Sequence, residues 1–342
     1  MRVAYCILAF AFSSLLMSCT SIDKNAALAL AKAGQDATRA VSDQSIGAQN
    51  TIGVLPQWWA VGQALECSRV PVGESRDACI GNAEQTANSD ASDKSLDKLS
   101  LVMKKRTRAA LELMRAYSGF GDLINYDASA DAQNALNSAF SSINSFLSAV
   151  GTLTGTQAGL KPLGATAEGI AAKGVGLLAS QRQNKQILAA SVELHKAVDA
   201  FSSGLRAEKN KALTESLLTL LADQKGALYL RLIESGVIEP KDVLVPLVMS
   251  LGQGIPIAQT MPKKNNDAIS KAAALSFKAQ AKIQTGAVIV SYESALSALS
   301  DLSEQHENLE RGAPIELSDI TANVQKVAEA IQSLNGGNSN DK

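Results

Sequence analysis

The sequence predicts an all-α fold, an elongated bundle of long antiparallel helices. Aromatic residues are only 4 % of the 342 positions, whereas Ala, Leu, Ser and Gln are abundant. That composition suits helices packed closely through small side chains and lacks the aromatic and branched residues a β-sandwich needs. Two long stretches also carry apolar residues alternately three and four apart without a proline, the spacing of one helix face. Hydrophobic residues make up 46 % of the chain, enough for a sizeable core, and no Ser/Gly linker divides it. One helical body over 19 to 335 is expected, larger than the usual domain but natural for an extended bundle.

In chain order, a helix is expected over 23 to 50, ended by the turn residues of "VLPQWW" around Pro56. The polar segment "CSRVPVGESRDAC", with Pro71 and Gly73, reads as a loop. After it Leu96, Leu99, Met103, Arg106, Ala110, Leu113, Tyr117, Phe120 and Ile124 mark one face of a long helix, with Arg106 on the apolar seam. A shorter helix over 206 to 235 ends in "ESGVIEPKD", and "GQGIPIAQTMPKKNN" forms a further connection. From Ala281 through Thr285, Val288, Tyr292, Ala295, Leu299, Leu302 and His306 to Leu309 the same rhythm returns. A helix from Asn265 to Arg311 would span roughly 70 Å at 1.5 Å per residue, hence the elongated shape. After "RGAP" a last helix is expected over 316 to 334, and the polar segment 336 to 342 reads as a disordered tail.

The N-terminus carries an address. Met1 and Arg2 precede a mostly apolar run, Val3 to Met17, shorter than the ~20 residues a spanning helix needs. A secretory signal over 1 to 18 fits it better than a retained anchor. The following Leu16-Met17-Ser18-Cys19 resembles the lipobox of bacterial lipoproteins. That resemblance implies cleavage before Cys19, diacylation of its thiol and acylation of the new amino group, so that the chain meets the membrane through an N-terminal lipid. Two or more acyl chains anchor stably where one binds marginally. Thr20 in place of Asp after the cysteine favours the outer membrane, periplasmic face, as the destination.

In an oxidising periplasm the two remaining cysteines of the body, Cys67 and Cys79, most simply form a disulfide across their short loop. A metal site there would need further ligands, and no histidine lies within a hundred residues of them. The net charge of −1 gives no electrostatic case for nucleic acid. Neither a Walker loop, G-x-S-x-G, H-E-x-x-H nor C-x-x-C occurs, so neither an enzymatic activity nor a cofactor is expected. His195 and His306, each on a helical segment, could meet to hold a metal, although satisfied core histidines are the commoner outcome. Trp58 and Trp59 could touch lipid headgroups or a partner, with core packing at least as good a reading.

The most unusual stretch runs from 138 to 180, where only Lys161, Glu168 and Lys173 are charged. Gly151, Gly155 and Gly159 stand four apart, which on a helix would line one face and let another backbone come close. With a turn at Lys161-Pro162, the stretch is expected to form an apolar, glycine-rich helical hairpin. Packing inside the bundle is the plainer role for it. The alternative is a membrane-perturbing or pore-forming protein that uses this hairpin, in an architecture that resembles in outline the long-helix α-pore-forming toxins; the many Ser, Thr, Asn and Gln residues weigh against insertion. The sequence thus points to an outer-membrane-anchored lipoprotein acting by binding or scaffolding, with a protein partner whose identity is open.

Overall fold

The computed structural model describes residues 22–88, 94–126, 128–155, 160–164, 179–208, 218–239 and 266–335. Among these the chain forms the helices α1 (Lys24–Cys67), α2 (Glu74–Asn88), α3 (Lys94–Asn125), α4 (Ser129–Thr154), α5 (Ala179–Glu208), α6 (Leu218–Glu234), α7 (Asn266–Arg311) and α8 (Ser318–Asn335). No strand occurs among the described residues. The helices pack together as a bundle.

Local chemistry sets several of the ends. Asp23 caps α1, its Oδ1 accepting from the Asn25 and Ala26 amides at 2.9 and 3.1 Å. α6 and α7 both close on a left-handed glycine, Gly236 (φ 75°) and Gly312 (φ 68°). In each case the next residue's amide reaches back five positions, Val237 to the Leu232 carbonyl and Ala313 to the Asn308 carbonyl, which satisfies carbonyls that the helix leaves open.

The seam read from the sequence is the centre of the core. Leu99, Met103, Arg106, Ala110, Leu113, Tyr117, Phe120 and Ile124 of α3 are all buried, as are Tyr292, Ala295, Leu299, Leu302, His306 and Leu309 of α7. Around α3 lie α1, α4 and α5, while α7 packs on α5, α1 and α8. This makes a broad half that holds nearly all of the buried apolar side chains among the described residues. The two longest helices, at 44 and 46 residues, run on beyond it. There the C-terminal part of α1, the N-terminal part of α7 and α6 form a narrower half, with α2 folded back along α1.

Two expectations need correction. α1 does not stop near residue 50 but continues through Pro56 to Cys67. An interior proline costs a helix about 3 kcal/mol, and contacts of α1 with α6 and α7 compensate. The segment between Cys67 and Cys79 is a loop only as far as Gly73, because Glu74 and Asp77 open α2 and favour its N-terminal dipole. Of the helix expected over 206 to 235, the start belongs to the end of α5 and 218 to 234 to α6, and 209 to 217 lie outside the described residues. Residues 336 to 342 lie outside the described residues.

Candidate functional site

Cys67 and Cys79 are joined by a disulfide, with a Cα–Cα distance of 5.6 Å. It ties the last turn of α1 to the second turn of α2. Cys67 is fully buried beneath it. Cys19 lies outside the described residues.

The glycine row is not a helix face. α4 ends at Thr154, and Gly155 is its C-cap at φ 67°, exposed, with nothing within 4 Å of where a Cβ would stand. A side chain there would be strained by the left-handed backbone and would meet no neighbouring helix. Gly151 is buried on α4, Gly159 lies outside the described residues, and so does most of the second arm of the expected hairpin. Residues 160–164 are non-helical and pack back on α4, where the Asn144 amide group bonds both the Leu163 N–H (2.8 Å) and its carbonyl (3.1 Å).

Close helix approach falls to other, isolated glycines. A Cβ on Gly34 of α1 would collide with the Tyr117 ring of α3. One on Gly204 of α5 would come within 2.6 Å of Phe146, and one on Gly119 of α3 within 3.1 Å of the Ala132 backbone. These positions let α1, α3, α4 and α5 approach around the aromatic core.

Two polar clusters are buried in that core. In the first, Arg106 is completely buried and each nitrogen of its guanidinium has a partner: Nε donates to Ser45 Oγ (2.6 Å), Nη2 to Gln44 Oε1 (2.6 Å) and Nη1 to both oxygens of Glu208 (3.2 and 3.3 Å). The Tyr292 hydroxyl lies 3.0 Å from Glu208 Oε2 and from the Leu205 carbonyl, and its ring sits 5.2 Å beneath the guanidinium. Burial pushes the Glu208 carboxyl above its ordinary range, opposed by Arg106 and Tyr292. The cluster joins α1, α3, α5 and α7.

The second cluster centres on His306. Its Nδ1 lies 2.8 Å from Ser191 Oγ and its Nε2 lies 2.8 Å from the Tyr117 hydroxyl, with both neighbours buried. Removal from water, and secondarily the nearby His195, lower the imidazole pKa to about 3, so the ring is neutral and both nitrogens are engaged. The His195 ring stacks at 6.5 Å, its own nitrogens facing Asp199 (3.5 Å) and Glu310 (3.4 Å). The two histidines do meet, but among the described residues no group of three or more ligands is arranged for a metal. Ser191 and His306 are 0 % exposed, so a reactant has no access to the hydroxyl.

Glu310 carries this chain to the surface. It lines a cleft of about 480 Å³ between the start of α1 and the α7–α8 turn, whose walls include Ile22, Leu188, Pro314 and Ile315. Asp23 also borders the cleft, but its carboxylate is engaged at the α1 cap. Trp58 is half-buried against the core. No protein-family model matches the chain, and searches of curated proteins and of solved structures find no significant match.

Proposed function

We propose that the chain is a lipoprotein held at the periplasmic face of the outer membrane by acyl chains on Cys19, its helical body acting by binding or scaffolding. Leu16-Met17-Ser18-Cys19 behind an apolar run carries this reading. The Cys67–Cys79 bridge supports it, since disulfides persist in oxidising compartments. The start of α1 adds a geometric consequence. Only four residues, 20 to 23, separate Cys19 from the first helical residue, Lys24, a reach of at most roughly 18 Å, so the body would stand close to the lipid surface. Among the described residues no helix is long and apolar enough to cross a membrane, and α4, the described arm of the glycine-rich stretch, buries Phe140, Ile143, Phe146 and Leu147 in the bundle. That burial supports a packing role for it.

The test is acylation. Cys19→Ala should abolish incorporation of labelled palmitate and leave an uncleaved precursor. A variant that still takes up palmitate overturns the assignment.

A further inference from the structure

The outward faces of two helices carry the same spacing with opposite charge. On α3, Lys98, Leu101 and Lys105 stand at i, i+3 and i+7 and line a groove of about 330 Å³, whose other wall is Ser145, Ser148 and Thr152 of α4. Leu101 is 48 % exposed, and neither lysine has an ion-pair partner among the described residues. On α2, Asp77, Ile80 and Glu84 repeat the i, i+3, i+7 spacing. Ile80 is 38 % exposed, both carboxylates are exposed, and neither is ion-paired among the described residues.

α2 presents this face rigidly. The disulfide holds Cys79, next to Ile80, and Ala83 is buried against the body. The Arg76 guanidinium donates to the Val70 carbonyl (2.8 Å) and to the Ser68 carbonyl (3.1 Å), fixing the turn that leads into α2. The receiving groove has a wall of small hydroxyl side chains, which lets a third helix settle between α3 and α4 at short interaxial distance.

We propose that the acidic face of α2 from one copy docks into the α3/α4 groove of a second copy. In parallel register Asp77 meets Lys98, Ile80 covers Leu101 and Glu84 meets Lys105. The pairing removes two exposed apolar side chains from water and sets opposite charges on either side of them. Knob and groove are different surfaces, so the contact is heterologous. It engages neither the His306 nor the Arg106 cluster and does not depend on acylation of Cys19.

The experiment uses the full chain in detergent micelles, with p-benzoylphenylalanine at position 101, in a mixture of ¹⁵N-labelled and unlabelled copies. Irradiation should yield mixed-isotope cross-links between position 101 and a peptide from 74 to 88. Lys98→Glu with Lys105→Glu should cut their yield about tenfold, since two attractive pairs become repulsive. Adding Asp77→Lys and Glu84→Lys to the same chain should restore it. Cross-links confined to one isotope, cross-links to another segment, or a yield indifferent to the charge reversal would each overturn the proposal.

Discussion

In the broad half of the bundle Tyr117, Phe120, Phe140, Phe146 and Phe201 are each no more than 2 % exposed, whereas along the narrow half α7 shows Leu275 at 66 % and Ile283 at 75 % exposure. The first region has enough layers of helix to bury charge as well as hydrocarbon: Arg106, Glu208 and His306 are all at 0 %. Among its described side chains the second buries little besides Cys67, Ala83 and Ile233. It is held by the disulfide, by the stacked rings of Tyr229 and Phe277 (3.5 Å between centroids), and by ion pairs of Arg231 with Glu66 and Arg69 with Glu234. The same long helices therefore pass through two regimes. Where they are surrounded, one buried polar group is worth several kcal/mol; where they are half-wet, an ion pair is worth a fraction of one.

The largest effect that would break this contrast lies at the Arg106 cluster. Glu208→Ala leaves a fully buried guanidinium facing a cavity where its counter-charge was, and should cost about 3 to 5 kcal/mol in denaturant unfolding. Replacing both partners, Arg106→Met with Glu208→Leu, removes the charge altogether and should recover most of that loss. A loss below about 1 kcal/mol for Glu208→Ala alone would show that the broad half does not hold Arg106 dry.

His306 gives the next largest effect, through pH. Its folded-state pKa is near 3 against 6.5 unfolded, so the neutral ring is favoured by the fold. The associated stability is complete above pH 6.5 and is lost as pH falls through the window from 6.5 to 3, at about 1.4 kcal/mol per pH unit. By pH 5 the loss is about 2 kcal/mol. His306→Gln lacks the titrating group, and the difference between its unfolding free energy and that of the parent should change along this slope. Parallel curves between pH 6.5 and 4 would mean that the ring is hydrated or already charged. Tyr117, Ser191, Phe120, Glu310 and His195 are the neighbours that would have to move to allow it.

Much of the broad half was legible in the sequence because its helices obey one period throughout. Each described position of the seam from Leu99 to Ile124 is buried, and two of the polar residues placed on apolar seams, Arg106 and His306, proved to be the centres of the two clusters. Their partners on α5 were not legible. Glu208 lies 102 residues from Arg106 and Ser191 lies 115 from His306, and no local pattern marks either as facing inward. The glycines misled for a related reason: a row spaced by four looks like a packing face, yet Gly155 ends its helix, and the glycines at close contacts, Gly34, Gly119 and Gly204, belong to no such row. Pro56 misled in the other direction, since the local cost of a proline does not reveal how much packing lies on either side of it. The opposed charge patterns of α2 and α3 were in plain sight as residue types, but their exposure could be judged only once the helices had faces.

The smallest effect belongs to the narrow half. Glu66→Gln and Glu234→Gln keep the shapes of the side chains and remove the charges facing Arg231 and Arg69. Glu66 is 52 % exposed and Arg69 is 61 % exposed, so water and salt screen both pairs. The double variant should lower stability by less than about 1 kcal/mol. Its effect should appear as faster amide exchange confined to α6 and the adjoining end of α1, with the exchange of α3 unchanged, and should shrink further in 0.5 M salt, where the screening length falls to about 4 Å. If the variant instead lost 2 kcal/mol or more, or if the protection of α3 fell with that of α6, the two halves would share one cooperative unit and the contrast drawn between them would fail.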